Sequence, residues 1–421
     1  MFRIILSCLL VLLPLAGYSQ ENDTAQKLFA RYHASVYQIR VIDNAANNKS
    51  VTGTGFLVDK SGLIATNYHV ISDTINVPDK YRIEVLVKPD DVRKATLVNL
   101  DIVNDLALLK IEPPGADPIP LATRPSLKGD QVYSIGYPYD IGVTVVPGTY
   151  NGLAPHSVNN KVNFTGSLNP GMSGGPAFNK AGEVIGVNEA TAGNQLSFLV
   201  PVANLKALLA TTPPGYKGDF EKIIDDQLSA NSDRIITELL KGNWNTVPLG
   251  GAHALDEVTP FLRCWGDSKD QSNPDDKTPF WAQRSCQTDN NIFVNESQTT
   301  GKIELQFYWI SSKHLNEVQF YNYYRRIFTR YRPGNIGTKQ DVGNWACDED
   351  FVQVPIRKGV KTKAVFCTRA YKHIKGIYDV LFLQGSVNRK HQAYMIHFTI
   401  AGTTRPLALE FTKRFMEAGV W

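Results

Sequence analysis

Asn169-Pro170-Gly171-Met172-Ser173-Gly174-Gly175-Pro176 is the stretch on which the reading of this 421-residue chain turns. A serine sits among glycines on a tight loop, followed by a strand-like Ala177-Phe178-Asn179. Glycine lets the backbone turn sharply and bring its N–H groups close to a bound carbonyl. Two further residues upstream complete a constellation: His69 in Ala65-Thr66-Asn67-Tyr68-His69-Val70, and Asp105 in Asn104-Asp105-Leu106-Ala107-Leu108-Leu109-Lys110. A serine hydroxyl needs a base to take its proton, and histidine has a suitable pKa. The histidine in turn needs a buried carboxylate to fix its tautomer and stabilise the imidazolium. The backbone amides of Gly171 and Ser173 are the candidate donors to an oxyanion. Asp101 competes with Asp105 for the carboxylate role, and the apolar run Leu106–Leu109 of a buried strand favours Asp105.

Around these residues, from about 35 to 202, short apolar runs alternate with Gly, Pro and Asn turns. They include Gly55-Phe56-Leu57-Val58, Ile83-Glu84-Val85-Leu86-Val87, Gln131-Val132-Tyr133-Ser134-Ile135, Glu183-Val184-Ile185-Gly186-Val187 and Leu196 to Val200. Many short strands at such spacing indicate a barrel or a sandwich. Helical segments are expected at Thr24–Tyr32 and Val202–Leu209.

These motifs, in the order His, Asp, Ser, resemble the chymotrypsin-fold serine proteases in their bacterial HtrA-like, trypsin-like branch. Thr52-Gly53-Thr54-Gly55-Phe56-Leu57-Val58, Gly136-Tyr137-Pro138 and Gly182-Glu183-Val184-Ile185-Gly186-Val187-Asn188 match the flanking strands of that branch. The resemblance implies an all-β double six-stranded barrel, His69 and Asp105 coming from the first barrel and Ser173 from the second. By the family's layout Ser167 stands at the base of the substrate pocket, and Leu196-Ser197-Phe198 forms a wall strand pairing with substrate. Met172 replaces the usual Asn and is expected to shape the cleft. With no acid at position 167, an apolar or small residue is expected before the scissile bond. The resemblance implies a serine endopeptidase acting on protein or peptide substrates through an acyl-enzyme, with no metal or organic cofactor. A latent or inactive protease fold, serving as a binding or sensing module, is the alternative. No PDZ-like carboxylate-binding loop follows residue 213.

The N-terminus has a basic start, an apolar run from Ile4 to Leu15 and small residues ending at Ser19. It reads as a signal peptide, residues 1–19. The run is shorter than the roughly 20 residues a spanning helix needs, so no transmembrane anchor is expected after cleavage, and the chain is expected to be exported, periplasmic or secreted. The net charge of +4 names no partner, and nucleic acid is not expected. The protease domain is placed at 22–212 and a linker at 213–218. A separate α+β domain of unknown ligand fills 219–421, with helices expected over Asp219–Lys241, His314–Tyr331 and Arg405–Ala418. The basic, aromatic segments Tyr321–Arg332 and Arg357–Lys375 read mainly as solvated faces. They also suit an envelope polymer or a protein ligand. Cys264, Cys286, Cys347 and Cys367 all lie in this half. An even count in an exported chain points to two disulfides. Three connectivities are open, and the local pairing Cys264–Cys286 and Cys347–Cys367 is chosen. No short metal-knuckle spacing favours zinc.

Overall fold

The computed structural model describes residues 20–418 except 192, 194, 271–274, 290, 332–333, 336 and 354–358. The expected leader 1–19, Arg332 and Arg357 lie outside the described residues. Helix α1 (Gln20–Tyr32) leads into a first closed antiparallel barrel. Its strands are β1 (Val36–Asp43), β2 (Asn48–Asp59), β3 (Leu63–Thr66), β4 (Tyr81–Lys88), β5 (Asp91–Asp101) and β6 (Leu106–Lys110), ordered β1-β2-β3-β6-β5-β4. Two one-turn helices, α2 (Tyr68–Ile71) and α3 (Asp73–Asn76), connect β3 to β4. The second closed barrel comprises β7 (Gln131–Gly136), β8 (Thr144–Leu153), β9 (Val162–Phe164), β10 (Pro176–Phe178), β11 (Val184–Thr191) and β12 (Ser197–Pro201), ordered β10-β11-β12-β9-β8-β7. Helix α4 (Val202–Ala210) closes this region. Closure pairs the edge strands that an open sheet would leave exposed.

The barrels share a core. Val36, Phe56, Leu106 and Leu108 of the first meet Tyr133, Ile135, Phe178, Val187 and Val200 of the second, with Leu28 and Tyr32 of α1 and Leu205 and Leu208 of α4 sealing it. Tyr32 stacks on Phe178 with ring centroids 5.1 Å apart.

Helix α5 (Phe220–Lys241) starts where the Asp219 side chain accepts a hydrogen bond from the Lys222 amide, a typical N-cap. A hairpin follows, β13 (Thr246–Leu249) and β14 (Ala252–Leu255). The remaining elements are β15 (Leu262–Ser268), β16 (Phe280–Thr288), β17 (Ile292–Asn295), β18 (Gln298–Thr300), β19 (Ile303–Ser311), α6 (Glu317–Arg330), β20 (Ala346–Gln353), β21 (Lys361–Ala370), β22 (Tyr378–Ser386), β23 (Gln392–Thr403) and α7 (Arg405–Ala418). Seven strands form one antiparallel sheet, β15-β16-β19-β23-β22-β21-β20. The central strands are covered on both faces. Phe382, Ile396, Phe398 and Ile400 pack on Ile235, Leu239, Phe411 and Phe415 of α5 and α7. Leu381, Leu383 and Met395 pack on Phe320 and Tyr324 of α6. Cys264 lies opposite Cys286 in the β15–β16 register and Cys347 opposite Cys367 in β20–β21. Their sulfurs are 2.01 and 2.05 Å apart.

The C-terminal half is pressed against the first barrel. Ile224 and Leu228 of α5, Ile292 and Val294 of β17, and Ile374 and Ile377 share one apolar cluster with Tyr68, Val70, Ile71, Leu100 and Ile102. The Gln227 amide spans the seam, donating to the Leu100 carbonyl and accepting from the Ile102 amide, both at 2.9 Å. Among the described residues no helix is long and apolar enough to cross a membrane.

Candidate active site

His69 sits on α2, directly after β3. Asp105 sits in the turn between β5 and β6, with φ 54°, a left-handed conformation that Asp adopts more readily than most residues. That turn is shaped by Asp101, whose two carboxylate oxygens accept from the Asn104 backbone amide at 3.0 Å and side-chain amide at 2.7 Å. Asp101 is thus occupied in building the turn. Asn67 adds a bond from its side chain to the Asp105 carbonyl at 2.8 Å. The Asp105 carboxylate then clamps His69 twice. Oδ1 accepts from the His69 backbone amide at 2.9 Å, and Oδ2 lies 2.6 Å from Nδ1. A proton on Nδ1 satisfies that contact and leaves the Nε2 lone pair free to act as a base. Burial pulls the His69 pKa down, but Asp105, helped by Glu189 and Glu296, outweighs it and the net shift is upward.

The serine loop is latched to the first barrel through Thr54 of β2. The Thr54 hydroxyl donates to the Gly171 carbonyl at 2.6 Å and accepts from the Tyr137 amide at 3.0 Å, while its own amide donates to the Ser173 carbonyl at 2.8 Å. Gly174 is required here: φ is +84°, and a Cβ would stand 2.2 Å from the Thr54 carbonyl oxygen and 2.3 Å from Thr66 Oγ1.

Two pinned carbonyls orient the loop's amides. The Pro170 carbonyl accepts from the Tyr139 amide at 2.9 Å, and the Met172 carbonyl accepts from the Gly175 amide and the Asn188 side chain, both at 3.1 Å. In a trans peptide the N–H points opposite to the C=O. The Gly171 and Ser173 amides therefore face away from these partners, and among the described residues neither has an acceptor. The Ser173 hydroxyl donates to the Glu189 main-chain carbonyl at 3.1 Å. Among the described residues no hydrogen bond joins Ser173 Oγ to His69; catalytic hydrogen bonds are often long or misaligned without substrate and tighten when it binds.

The expected substrate-binding residues divide. Ser167 is exposed, and Asn169 donates to its carbonyl at 3.4 Å. Leu196 is exposed and Phe198 half-buried. Met172 does not shape the cleft: it is fully buried in the second barrel with Leu168, Ala177 and Leu199. Ser197 is buried too, its hydroxyl accepting from the Leu168 amide. The β12 backbone cannot pair with substrate, because Ser197 and Phe198 already pair with Thr191 and Ala190 of β11 on one side and with Phe164 and Asn163 of β9 on the other. The unpaired edge near Ser173 belongs instead to β11 beyond Asn188.

Sequence reasoning missed three contributors. Glu189 and Lys161 form an ion pair beside Ser173. Glu189 is the one charged residue of β11, and Lys161 precedes β9 with no pattern that marks it. The third is the β17–β18 hairpin, which reaches over α2 from the C-terminal half. Phe293 lies edge-on to the His69 ring at 6.0 Å, and the Val294 carbonyl accepts from Tyr68 Oη at 3.0 Å and from Asn76 at 3.5 Å. No local pattern announces a contact across more than 200 residues.

Several known proteins are similar to part of this chain. Residues 53–187 match the family described as a trypsin-like peptidase domain. Serine endoprotease DegS of Escherichia coli is 36% identical over 163 residues, 37% of this chain and 44% of that protein. The putative serine protease HhoA of Synechocystis is 34% identical over 176 residues, 39% of this chain and 43% of that protein. Human serine protease HTRA3 is 27% identical over 221 residues, 50% of this chain and 49% of that protein. The chain spans about half the length of the curated relatives it matches. The crystal structure of Deg5 aligns with a TM-score of 0.39 at 30% identity, covering 45% of this chain and 93% of that one. Residues 53–187 thus match the trypsin-like peptidase domain model, and the same region is similar in sequence to the serine proteases DegS, HhoA and HTRA3.

Proposed function

We propose that this chain is an exported serine endopeptidase. Ser173 attacks the peptide carbonyl as His69 Nε2 takes the hydroxyl proton, and Asp105 holds the imidazolium. The amides of Gly171 and Ser173 receive the oxyanion, the amine leaves with the proton from His69, and water hydrolyses the acyl-enzyme by the same steps in reverse. The observation carrying this reading is the double clamp of Asp105 on His69, together with a serine loop whose Gly171 and Ser173 amides have no acceptor among the described residues. Substrate pairs with the open edge of β11, and an apolar or small side chain enters at Ser167, a position that carries no acid.

Residues 22–212 are proposed as the protease and 219–421 as an α+β domain with two disulfides, Cys264–Cys286 and Cys347–Cys367. The exposed Arg325, Arg326 and Arg330 on α6 support contact of that domain with an anionic envelope polymer or protein. Cleavage of a peptide library by the full chain tests the reading. Cuts after apolar or small residues, abolished in Ser173→Ala, support it. Cuts only after Arg or Lys refute the pocket assignment, and cuts that persist in Ser173→Ala refute the mechanism.

A further inference from the structure

Glu189 occupies an unusual position. The β11–β12 register slips between Asn188 and Ala190, so Glu189 is the extra residue of a β-bulge. Bulges re-aim side chains, and this one turns Glu189 into the seam between the barrels. Its Oε1 receives Lys161 Nζ, while Oε2 is buried and among the described residues has no partner. Only a tenth of the side chain is exposed. The same residue's main-chain carbonyl receives the Ser173 hydroxyl. The loop bearing Lys161 also touches the turn that carries Asp105, since Asn159 donates to the Val103 carbonyl at 2.8 Å.

We propose that Glu189, held by Lys161, is a positioning residue for the catalytic pair: its buried carboxylate is a second negative charge beside His69 that stabilises the imidazolium formed when Ser173 gives up its proton. The inference rests on the protease reading above and deepens it.

The charge balance makes this workable. Asp105 and Glu189 both act electrostatically on the His69 imidazole and on each other, and like charges disfavour joint ionisation. Burial and the neighbouring Asp105 both push the Glu189 pKa up, while Lys161 pulls it down. The net shift is upward, with burial the largest cause, and Lys161 is the cation that favours the charged form of Glu189. Proton transfer to His69 then adds a positive charge that both carboxylates favour, in a site where solvent screens little. The other groups facing His69 are Glu296, on the exposed turn of the β17–β18 hairpin, and the ring of Phe293. Asp73, on α3, faces the neighbouring Tyr68. Glu296 is in water and is screened. Glu189 is not.

The test is the titration of His69 in the full chain, followed by imidazole NMR, in wild type, Glu189→Gln and Glu189→Asp, with thermal melts to verify folding. The expected result is a His69 midpoint lowered by half a pH unit or more in Glu189→Gln. In Glu189→Asp, which keeps the charge, it is expected to stay near the wild-type value. The acid limb of fluorophosphonate labelling should move with it. A midpoint unchanged in Glu189→Gln overturns the proposal, as does an equal shift in both variants, which marks a packing role. The titration needs no turnover. If Ser173 never labels in any variant, the protease reading fails while the Glu189 inference is still decided by the midpoints.

Discussion

Thr54→Val removes one hydroxyl and keeps nearly the same volume. Thr54 is fully buried, and its Oγ1 is shared between the Gly171 carbonyl and the Tyr137 amide. The substitution leaves both groups without partners in a dry seam. Each such loss costs about 1–3 kcal/mol, so the two together destabilise the native arrangement by about 2–6 kcal/mol. In a cooperative unit of about 150–250 residues this lowers the melting temperature by roughly 4 °C or more. The chain can relieve part of the cost by turning the Gly171 carbonyl away from its position, and this moves the oxyanion donors. One such donor is worth roughly 100- to 1,000-fold in rate. The assay pairs a thermal melt with the second-order rate of fluorophosphonate labelling. A Thr54→Val protein that melts within about 1 °C of wild type and labels at the wild-type rate would refute the claim that β2 organises the serine loop.

Asp105→Asn keeps an acceptor for the His69 backbone amide but turns an N–H toward Nδ1. This forces the proton to Nε2 and lowers kcat by about 10,000-fold, read by steady-state peptide cleavage, with little change in melting temperature. His397 is buried and neutral, its pKa pulled down by burial to about 3. The unfolded chain binds a proton there below about 6.5 that the folded chain refuses. Stability contributed by His397 is therefore full above pH 6.5 and falls on acidification, by about 2 kcal/mol at pH 5. Urea melts at pH 5 and 8 should show a smaller gap in His397→Gln than in wild type. A chain cut after residue 212 loses Ile224, Leu228, Ile292, Val294, Ile374 and Ile377 from the cluster around α2. At about 2 kcal/mol per side chain, an upper bound of roughly 12 kcal/mol rivals the whole stability of a typical domain. The truncated chain should be insoluble, or melt far below the full chain in calorimetry.

The barrels were legible because closed sheets of short strands leave a local alternation of apolar and turn residues, and the sequence keeps each nucleophile-type motif within a single loop. The C-terminal sheet was less so. β19, β21, β22 and β23 carry apolar runs, whereas β15 and β20 lie at the sheet edges and are largely exposed and polar, as in Ala346-Cys347-Asp348-Glu349-Asp350. An edge strand with charged residues avoids unwanted pairing and so lacks the pattern by which strands are read. In the site, His69, Asp105 and Ser173 announce themselves through local motifs. Met172 misled because a position beside a nucleophile was assumed to face the cleft, while the turn after Gly171 sends its side chain into the barrel. Leu196–Phe198 misled because strand order decides which edge is open, and strand order is not local.

The central claim is that Ser173 is an activated nucleophile, and it is tested most directly by labelling the full chain with a fluorophosphonate and mapping the adduct by peptide mass spectrometry. The account predicts one adduct, on Ser173, absent from Ser173→Ala and strongly slowed in Asp105→Asn. No adduct on folded protein, or one that survives Ser173→Ala, would contradict it.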